Sequence, residues 1–465
     1  MILLSKSYRY IGFGLLAALT SLLLSLHPPE GLSTEGYRAL VVFIGCVFLW
    51  VTQLLPLAIT GLLAIAATPL LGILPPRESF SLFGNDTVFF ILGVFILAAA
   101  MMKSGLSTRL ALRLLRRAGT SPKKLLFQIM IAATLLSFVM SEHAVAAMMF
   151  PIVLEIARSL EFVPYGGSYG RLLFLSMAWG CIVGGIATLL GSGRAVLAIG
   201  ILTEMTGEKL SFLQWSLAAL PVVLLMFGAA FLLLTRYFSI DVDSVAEADR
   251  ILVEKVRHQG KASPNEWFIG TVLILTIGLW LTYGNRFGMA AISILSVVAL
   301  FLFKTVSWKD LEEYVNWGVF LMYGGAICLS SVLSRTGAGD WMAQQLLNAV
   351  GGNPILVVIS LTVTALLLTE AISNSAVVAV MAPVAISLSS SLALDPKGVT
   401  LLIALASGLG NALPMSTPAM AIAYSSGYFK IQDTIVPALL MSVASLAALL
   451  LVGGLWWGLL GVRIF

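Results

Sequence analysis

The sequence predicts an all-α polytopic membrane protein: about eleven transmembrane helices plus two re-entrant hairpins in an inverted repeat. Three observations predict it. Apolar residues are 59% of the chain and charged residues only 11%, roughly half the charge with which a soluble chain covers its surface. The apolar residues come in runs of about 20, the length that crosses the hydrocarbon of a bilayer. A polar-centred apolar segment recurs 232 residues on, which marks an internal repeat.

Residues 1–35 are expected to form a leader helix. Lys6 and Arg9 precede an apolar stretch, as in a signal peptide, but 10–27 runs into Pro28-Pro29 with no small-residue cleavage pattern. It therefore reads as a retained helix. Further spans are expected at 36–54, 57–75, 86–103, 172–201, 214–237, 267–284, 288–304, 317–334, 398–427 and 435–461. Two apolar stretches, 125–160 and 354–392, are too long for one span. Each carries a polar cluster near its middle, Ser141-Glu142-His143 and Ser373-Asn374-Ser375. An apolar arm, a polar tip and a second apolar arm read as a re-entrant hairpin, whose tip must face protein or a wet cavity. Cys46, Cys181 and Cys328 lie in apolar runs without metal or redox spacing and read as small core residues. The basic run 103–124 reads as an amphipathic surface helix beside anionic lipid. Trp456-Trp457 reads as an interfacial anchor.

The repeat divides the chain. Ser141 through Pro151 lies over Ser373 through Pro383, with Ser, Ala, Val, Ala, Met and Pro coinciding. Val88 through Gly93 lies over Val319 through Gly324, and Ser104-Gly105 over Thr336-Gly337. The first repeat is then 36–237 with hairpin 125–160. The second is 267–465 with hairpin 354–392, and 238–266 is a cytoplasmic linker. Charge makes the repeats inverted. Segment 103–124 carries Lys103, Arg109, Arg113, Arg116, Arg117, Lys123 and Lys124 with no acid, whereas 335–353 has only Arg335 and Asp340. The positive-inside rule places the first in the cytoplasm and permits the second outside. The N-terminus is then cytoplasmic and the C-terminus outside. The net charge of +5 sits in such loops, so it orients helices and does not imply nucleic acid.

Each half also breaks a second long span, at Gly191-Ser192-Gly193-Arg194 and at Pro414-Met415-Ser416-Thr417-Pro418. Glycine and proline interrupt helix hydrogen bonding. Broken helices present N–H groups to anions and carbonyls to cations, and paired breaks in two halves point to a transport site. Ionisable groups at such depth cost about 2.5–3.5 kcal/mol each on insertion scales and are functional candidates. Arg194 either meets an anionic substrate bidentately or pairs with Glu142. His143 either titrates near neutral pH or stays neutral and hydrogen-bonded. An intramembrane enzyme has little support: there is no His-Glu-x-x-His motif and no acid pair on facing spans.

On these residues the chain resembles the divalent anion/sodium symporter family, the carriers of dicarboxylates, citrate and sulfate. Ser373-Asn374-Ser375, preceded by Glu370, resembles the family's Ser-Asn-Thr tip, and Ser416-Thr417-Pro418 resembles its Thr-Pro break. Trp50-Val51-Thr52-Gln53 with Leu55-Pro56-Leu57, and residues 104–109, are also similar to the family's pattern. The resemblance implies a secondary active transporter of small anions, di- or tricarboxylates, working as a homodimer in the bacterial inner membrane by an elevator movement. It implies substrate contacts at Ser141, Ser373, Asn374, Ser375, Thr417 and Pro418, to which the chemistry of their side chains adds His143 and Arg194 as candidates. It further implies a sodium ion at Ser373, Asn374 and Thr417, with Ser416 alongside, and no other cofactor. The first half departs from the family pattern: Glu142, His143 and Arg194 stand in the loops that hold the family's first sodium ion. That leaves sodium coupling, proton coupling and anion exchange all open, together with an arsenite or cation–proton carrier of the wider superfamily.

Overall fold

The structure, a computed structural model, describes residues 6–350 and 352–464. The first five residues of the expected leader and the last residue of the expected second repeat lie outside them. Among the described residues there is no strand. The chain opens with α1 (Lys6–Ser25). Ten helices follow: α2 (Thr34–Thr52), α3 (Leu57–Leu70), α4 (Pro76–Ser81), α5 (Asp86–Ser104), α6 (Leu106–Leu115), α7 (Pro122–Leu136), α8 (Glu142–Ser159), α9 (Ser168–Gly185), α10 (Gly193–Thr206) and α11 (Phe212–Tyr237). α12 (Ala246–His258) comes next. Ten more complete the chain: α13 (Pro264–Phe287), α14 (Met289–Leu302), α15 (Trp308–Tyr314), α16 (Trp317–Arg335), α17 (Ala338–Val350), α18 (Pro354–Ala371), α19 (Asn374–Ser391), α20 (Pro396–Ala406), α21 (Pro418–Ser425) and α22 (Ile431–Leu455).

Helix starts follow local chemistry. Ser121, Ser211, Ser263 and Asn353 accept a backbone N–H from the turn they open, and Pro122, Pro264 and Pro354 occupy first positions where no N–H is needed. Among the described residues, eight stretches are long and apolar enough to cross a membrane: α2, Pro76–Ser104 (α4 through α5), α11, α13, α16, α18, α19 and α22. The expected spans 57–75 and 288–304 appear as the 14-residue helices α3 and α14. The expected spans 172–201 and 398–427 are each split into two helices, with loops at 186–192 and 407–417. The stretches 125–160 and 354–392 each form two helices joined at the polar tip.

Packing places the breaks at the centre. α9 is buried along its length apart from Ser168 and Arg171, and α7, α8, α11 and α21 pack around it. The two sets of ten helices also meet directly, α3 on α16 and α5 on α14. At the first crossing Gly61 faces Gly325, where a Cβ on Gly325 would come within 2.2 Å of the Gly61 backbone. No larger residue fits there, a small-residue contact typical of membrane helices. The three cysteines are buried and unpaired.

Two sequence expectations change in the folded chain. Trp456 and Trp457 are more than interfacial anchors. Pro221 lacks an N–H, so the Leu217 carbonyl has no partner within α11. Trp456 Nε1 donates to that carbonyl at 2.9 Å, and the fully buried Trp457 donates to the Ala218 carbonyl at 3.0 Å. The tail of the chain is thereby pinned onto α11.

The basic run is not all surface. Arg109 on α6 is buried, and its guanidinium donates to Glu266 Oε1 at 2.6 Å and Oε2 at 3.1 Å. It also donates to the carbonyls of Gly260 (2.8 Å), Gln259 (3.2 Å) and Lys261 (3.3 Å). The linker is held at its other end too, where Asp241 accepts the Ser168 and Tyr169 N–H groups at 2.9 Å each. A carboxylate there suits the positive N-terminal end of α9.

This arrangement carries a prediction. Charged hydrogen bonds contribute about 1.5–3 kcal/mol each, and every 1.4 kcal/mol is about tenfold in population. Arg109→Ala should therefore expose the loop around Lys261 and raise the rate of limited tryptic cleavage there at least about tenfold. Peptide mapping of the detergent-solubilised protein reads it; equal rates in variant and wild type would show that Arg109 does not hold the linker.

Candidate functional site

The two tips and the two broken helices meet around one guanidinium. Ser141 caps α8, its hydroxyl accepting the Ala144 N–H at 3.3 Å, and Ser373 caps α19 with the same contact to Ala376, also 3.3 Å. The first residue of each helix, Glu142 and Asn374, is then turned inward and buried. The Glu142 N–H donates to the Gly191 carbonyl at 3.0 Å, which fastens the first tip to the loop preceding α10. The second residue of α10 is Arg194, only 2% exposed.

Arg194 Nη1 donates to Glu142 Oε1 at 2.9 Å, and Nη2 makes longer contacts of 3.4 Å to Oε2 and 3.5 Å to the Gly408 carbonyl. The Asn374 amide has one orientation that satisfies both its ends. In it, the oxygen accepts from Arg194 Nη1 at 3.1 Å, and the nitrogen donates to the carbonyls of Ser416 (2.7 Å) and Ser407 (3.2 Å). The reverse orientation would set its oxygen against carbonyls and its nitrogen against the guanidinium, which hydrogen bonding forbids. Thr369 Oγ1 completes the network by donating to the Ser407 carbonyl at 2.6 Å. Arg194 therefore ties the first tip, the second tip and the end of α20 together. The sequence left it open whether Arg194 meets Glu142 or a ligand; in this conformation it meets Glu142.

A cavity of about 310 Å³ lies against this cluster. Ser141, Glu142, His143, Gly191 to Gly193, Tyr323 and Pro418 line it, together with Phe95, Ala98, Ala99 and Met102 of α5 and with Glu313, Tyr314 and Asn316. A second cavity of about 420 Å³ shares Met102, Ala147 and Tyr314 with the first and continues along α8 to Glu155 and Lys255, which pair at 2.7 Å. The N-terminal ends of α8 and α10, and Pro418 at that of α21, border the first cavity, and each such end carries roughly half a positive charge. An anion suits that field.

The expected site residues separate into two groups. Ser141, Glu142, His143 and Pro418 reach the cavity. Arg194, Asn374, Ser416 and Thr417 are buried behind it. Ser373 and Ser375 do not line it. His143 is exposed, and among the described residues its ring has no hydrogen-bond partner, so a buried, hydrogen-bonded histidine is not what forms. The expected sodium donors are committed elsewhere in this arrangement. Thr417 Oγ1 accepts the Met420 N–H at 3.2 Å, Ser373 Oγ caps Ala376, and the Asn374 oxygen faces a guanidinium. In this arrangement the Asn374 oxygen is held by the Arg194 guanidinium.

Sequence reasoning noted Glu370 without giving it a role, and missed Tyr323. Glu370 accepts the N–H groups of Asn411 (2.8 Å), Ala412 (3.0 Å) and Leu413 (3.2 Å) and so shapes the loop that leads to Thr417. An acid at the end of an apolar arm was the available signal. Tyr323, whose hydroxyl lies 2.8 Å from Ser375 Oγ, gave none.

Comparison with known proteins follows from this geometry. The family model described as "Sodium:sulfate symporter transmembrane region" matches residues 9–463. The sodium-dependent dicarboxylate transporter SdcS of Staphylococcus saprophyticus is 28% identical over 96% of this chain and 92% of that protein. Its namesake from Staphylococcus aureus is 29% identical over 91% of this chain and 86% of that protein. Among solved structures, Neisseria gonorrhoeae MtrF, from work on a class of antimetabolite efflux pumps, aligns with a TM-score of 0.54 at 14% identity, covering 95% of this chain and 94% of that one. The Alcanivorax borkumensis YdaH transporter aligns with a TM-score of 0.55 at 15% identity, covering 97% and 98%. At such identities the two structures speak for the fold alone.

The ion pair carries its own prediction. Removing one partner of a buried pair costs about 3–5 kcal/mol, while replacing both by apolar groups is often neutral. Arg194→Met should lower the thermal unfolding midpoint markedly, and adding Glu142→Leu should restore most of the loss. A double variant no more stable than the single one would show that the two charges are not coupled.

Proposed function

The chain belongs to the sodium:sulfate symporter transmembrane family, and from that premise we propose that it carries small di- or tricarboxylate anions across the bacterial plasma membrane as a secondary active transporter. Membership makes it an integral membrane transporter rather than an enzyme. The substrate class rests on the dicarboxylates in the names of both relatives. The observation that carries it to this chain is the cavity bordered by helix N-termini and lined by His143 and Ser141. That lining offers hydroxyl, imidazole and helix N-terminal donors to carboxylate oxygens.

Residues 36–237 and 267–465 act as inverted repeats, with α7–α8 and α18–α19 as their re-entrant hairpins. The N-terminus and the linker 238–266 are cytoplasmic, and the C-terminus is outside. Met102, Glu313 and Tyr314 of the cavity lining lie near Lys103, which pairs with Asp310 on α15. With the basic run inside, this part of the lining is then on the cytoplasmic side. The hairpins and broken helices move together as an elevator between two faces of the membrane, in a homodimer.

Coupling is where this chain parts from its relatives. The Glu142–Arg194 pair fills the space between the first tip and the loop before α10, and its net charge is zero. It substitutes for a cation bound there, so the first half contributes no sodium to the cycle. A second reading, sodium coupling through the second half, is favoured by the sodium dependence in the relatives' names.

The test is uptake of radiolabelled succinate and sulfate into proteoliposomes, under a sodium gradient, a proton gradient, or with internal dicarboxylate. Succinate uptake driven by internal anion or protons and indifferent to sodium is the expected result. Uptake that requires sodium would establish the second reading, and uptake of neither anion under any gradient would remove the proposed substrate class.

A further inference from the structure

Away from the tips, two further cavities meet at one ammonium. The cavity of about 420 Å³ shares Met102, Ala147 and Tyr314 with the cavity at the first tip, and a third cavity of about 580 Å³ shares Glu155 and Lys255 with it. The shared residues place the three in series, from the first tip to α12. Among the described residues that line them, Lys255 is the only lysine or arginine. Its partner Glu155 stands thirteen residues after Glu142 on α8, about 20 Å along the helix axis at 1.5 Å per residue. A four-carbon dicarboxylate is much shorter than that, so a contact at Lys255 is separate from any contact at the tip.

The ammonium is not used up where it stands. Lys255 Nζ lies 2.7 Å from Glu155 Oε2, with the two side chains 36% and 45% exposed. A pair so open to water adds little stability and gives way readily to another partner. An ammonium has three donors, and among the described residues Glu155 is its only ion-pair partner. The neighbouring Glu254 is turned to His258, 3.5 Å away.

We propose that Lys255 is a second anion-binding site, which receives a carboxylate of the transported dicarboxylate on its way between the cytoplasm and the tips. The substrate takes the free donors of the ammonium or replaces Glu155 as its partner. This inference rests on the anion-carrier reading and on the cytoplasmic placement of the linker above. A mere latch between α12 and α8 would behave differently. Losing either partner of a latch has one and the same effect. At an anion site Glu155 competes with the substrate, so losing Lys255 weakens capture and losing Glu155 does not.

The experiment measures KM for radiolabelled succinate on each face of the membrane, in inside-out and right-side-out vesicles, for wild type, Lys255→Gln and Glu155→Gln. Lys255→Gln should raise the ratio of cytoplasmic to outer KM about fivefold, the equivalent of the roughly 1 kcal/mol that a unit charge contributes at about 4 Å in water. Glu155→Gln should not raise it. Added potassium chloride should shrink the difference between wild type and Lys255→Gln, because salt screens an exposed charge. A ratio raised alike in both variants would show a latch and overturn the proposal, as would an unchanged ratio in Lys255→Gln. A second measurement needs no transport: acetylation of Lys255 by a sulfo-N-hydroxysuccinimide ester in the detergent-solubilised protein, read by peptide mass mapping with Lys261 as internal control. Saturating succinate should slow it at least about threefold more than potassium chloride of equal ionic strength, because occupancy divides the free fraction by 1 + [L]/Kd. Equal slowing by the two salts would also overturn the proposal. If succinate is carried in neither direction, the anion-carrier reading fails, and the acetylation rates still decide whether Lys255 binds a dicarboxylate.

Discussion

The site depends on one buried guanidinium. Arg194 has water on no side, so its charge must be met by protein, and the protein meets it with a carboxylate from one tip, an amide oxygen from the other and a carbonyl at the end of α20. Burying such a pair gains little net stability by itself. What it fixes is relative position: two hairpin tips far apart in sequence share one partner whose planar fork has few acceptable geometries. The fork also dictates the orientation of Asn374, and that amide in turn occupies the Ser416 and Ser407 carbonyls. One charge thus sets the state of the backbone in both broken regions.

Much of this was legible in the sequence, for a physical reason. A polar cluster within a long apolar run is expensive in lipid, so its occurrence twice, in register, announced two tips and two breaks. Glu142 and Arg194 were visible as charges at membrane depth, and pairing between them was one of the two outcomes weighed. The contributions of Arg109, Trp457 and Tyr323 were not legible. Each depends on a partner remote in sequence: Glu266, the Ala218 carbonyl and Ser375. Arg109 sits among six other basic residues with no local sign that it alone turns inward. The serines of the tips have a structural task as well: both hydroxyls cap their own helices, which is what serine before a helix most often does.

The linker is more than a tether in the folded chain. Asp241 caps α9, Arg109 gathers the carbonyls of residues 259–261, and Lys255 pairs with Glu155 at the far end of α8. The C-terminal end of α8 and the N-terminal end of α9, adjacent across residues 160–167, are therefore both in contact with the segment that joins the two sets of helices. The second cavity runs from the first to this same Glu155–Lys255 contact. A movement of α8 relative to α5 would change the width of that passage and load the linker at once.

The two tips share a sequence pattern and differ in the charge they carry. In the second half, Asn374 is neutral and a carboxylate, Glu370, stands off to satisfy three backbone N–H groups of the following loop. In the first half the carboxylate stands at the tip itself and is satisfied by a guanidinium. Each hairpin therefore holds an acid at or just before its tip, but only at the first does a guanidinium match it. A neutral tip can gain and lose a mobile cation as conditions change. A tip whose carboxylate is matched by a covalently attached guanidinium needs no mobile cation to balance that carboxylate. The asymmetry between Glu142 and Asn374 is thus the feature of this chain that bears most directly on what drives its anion.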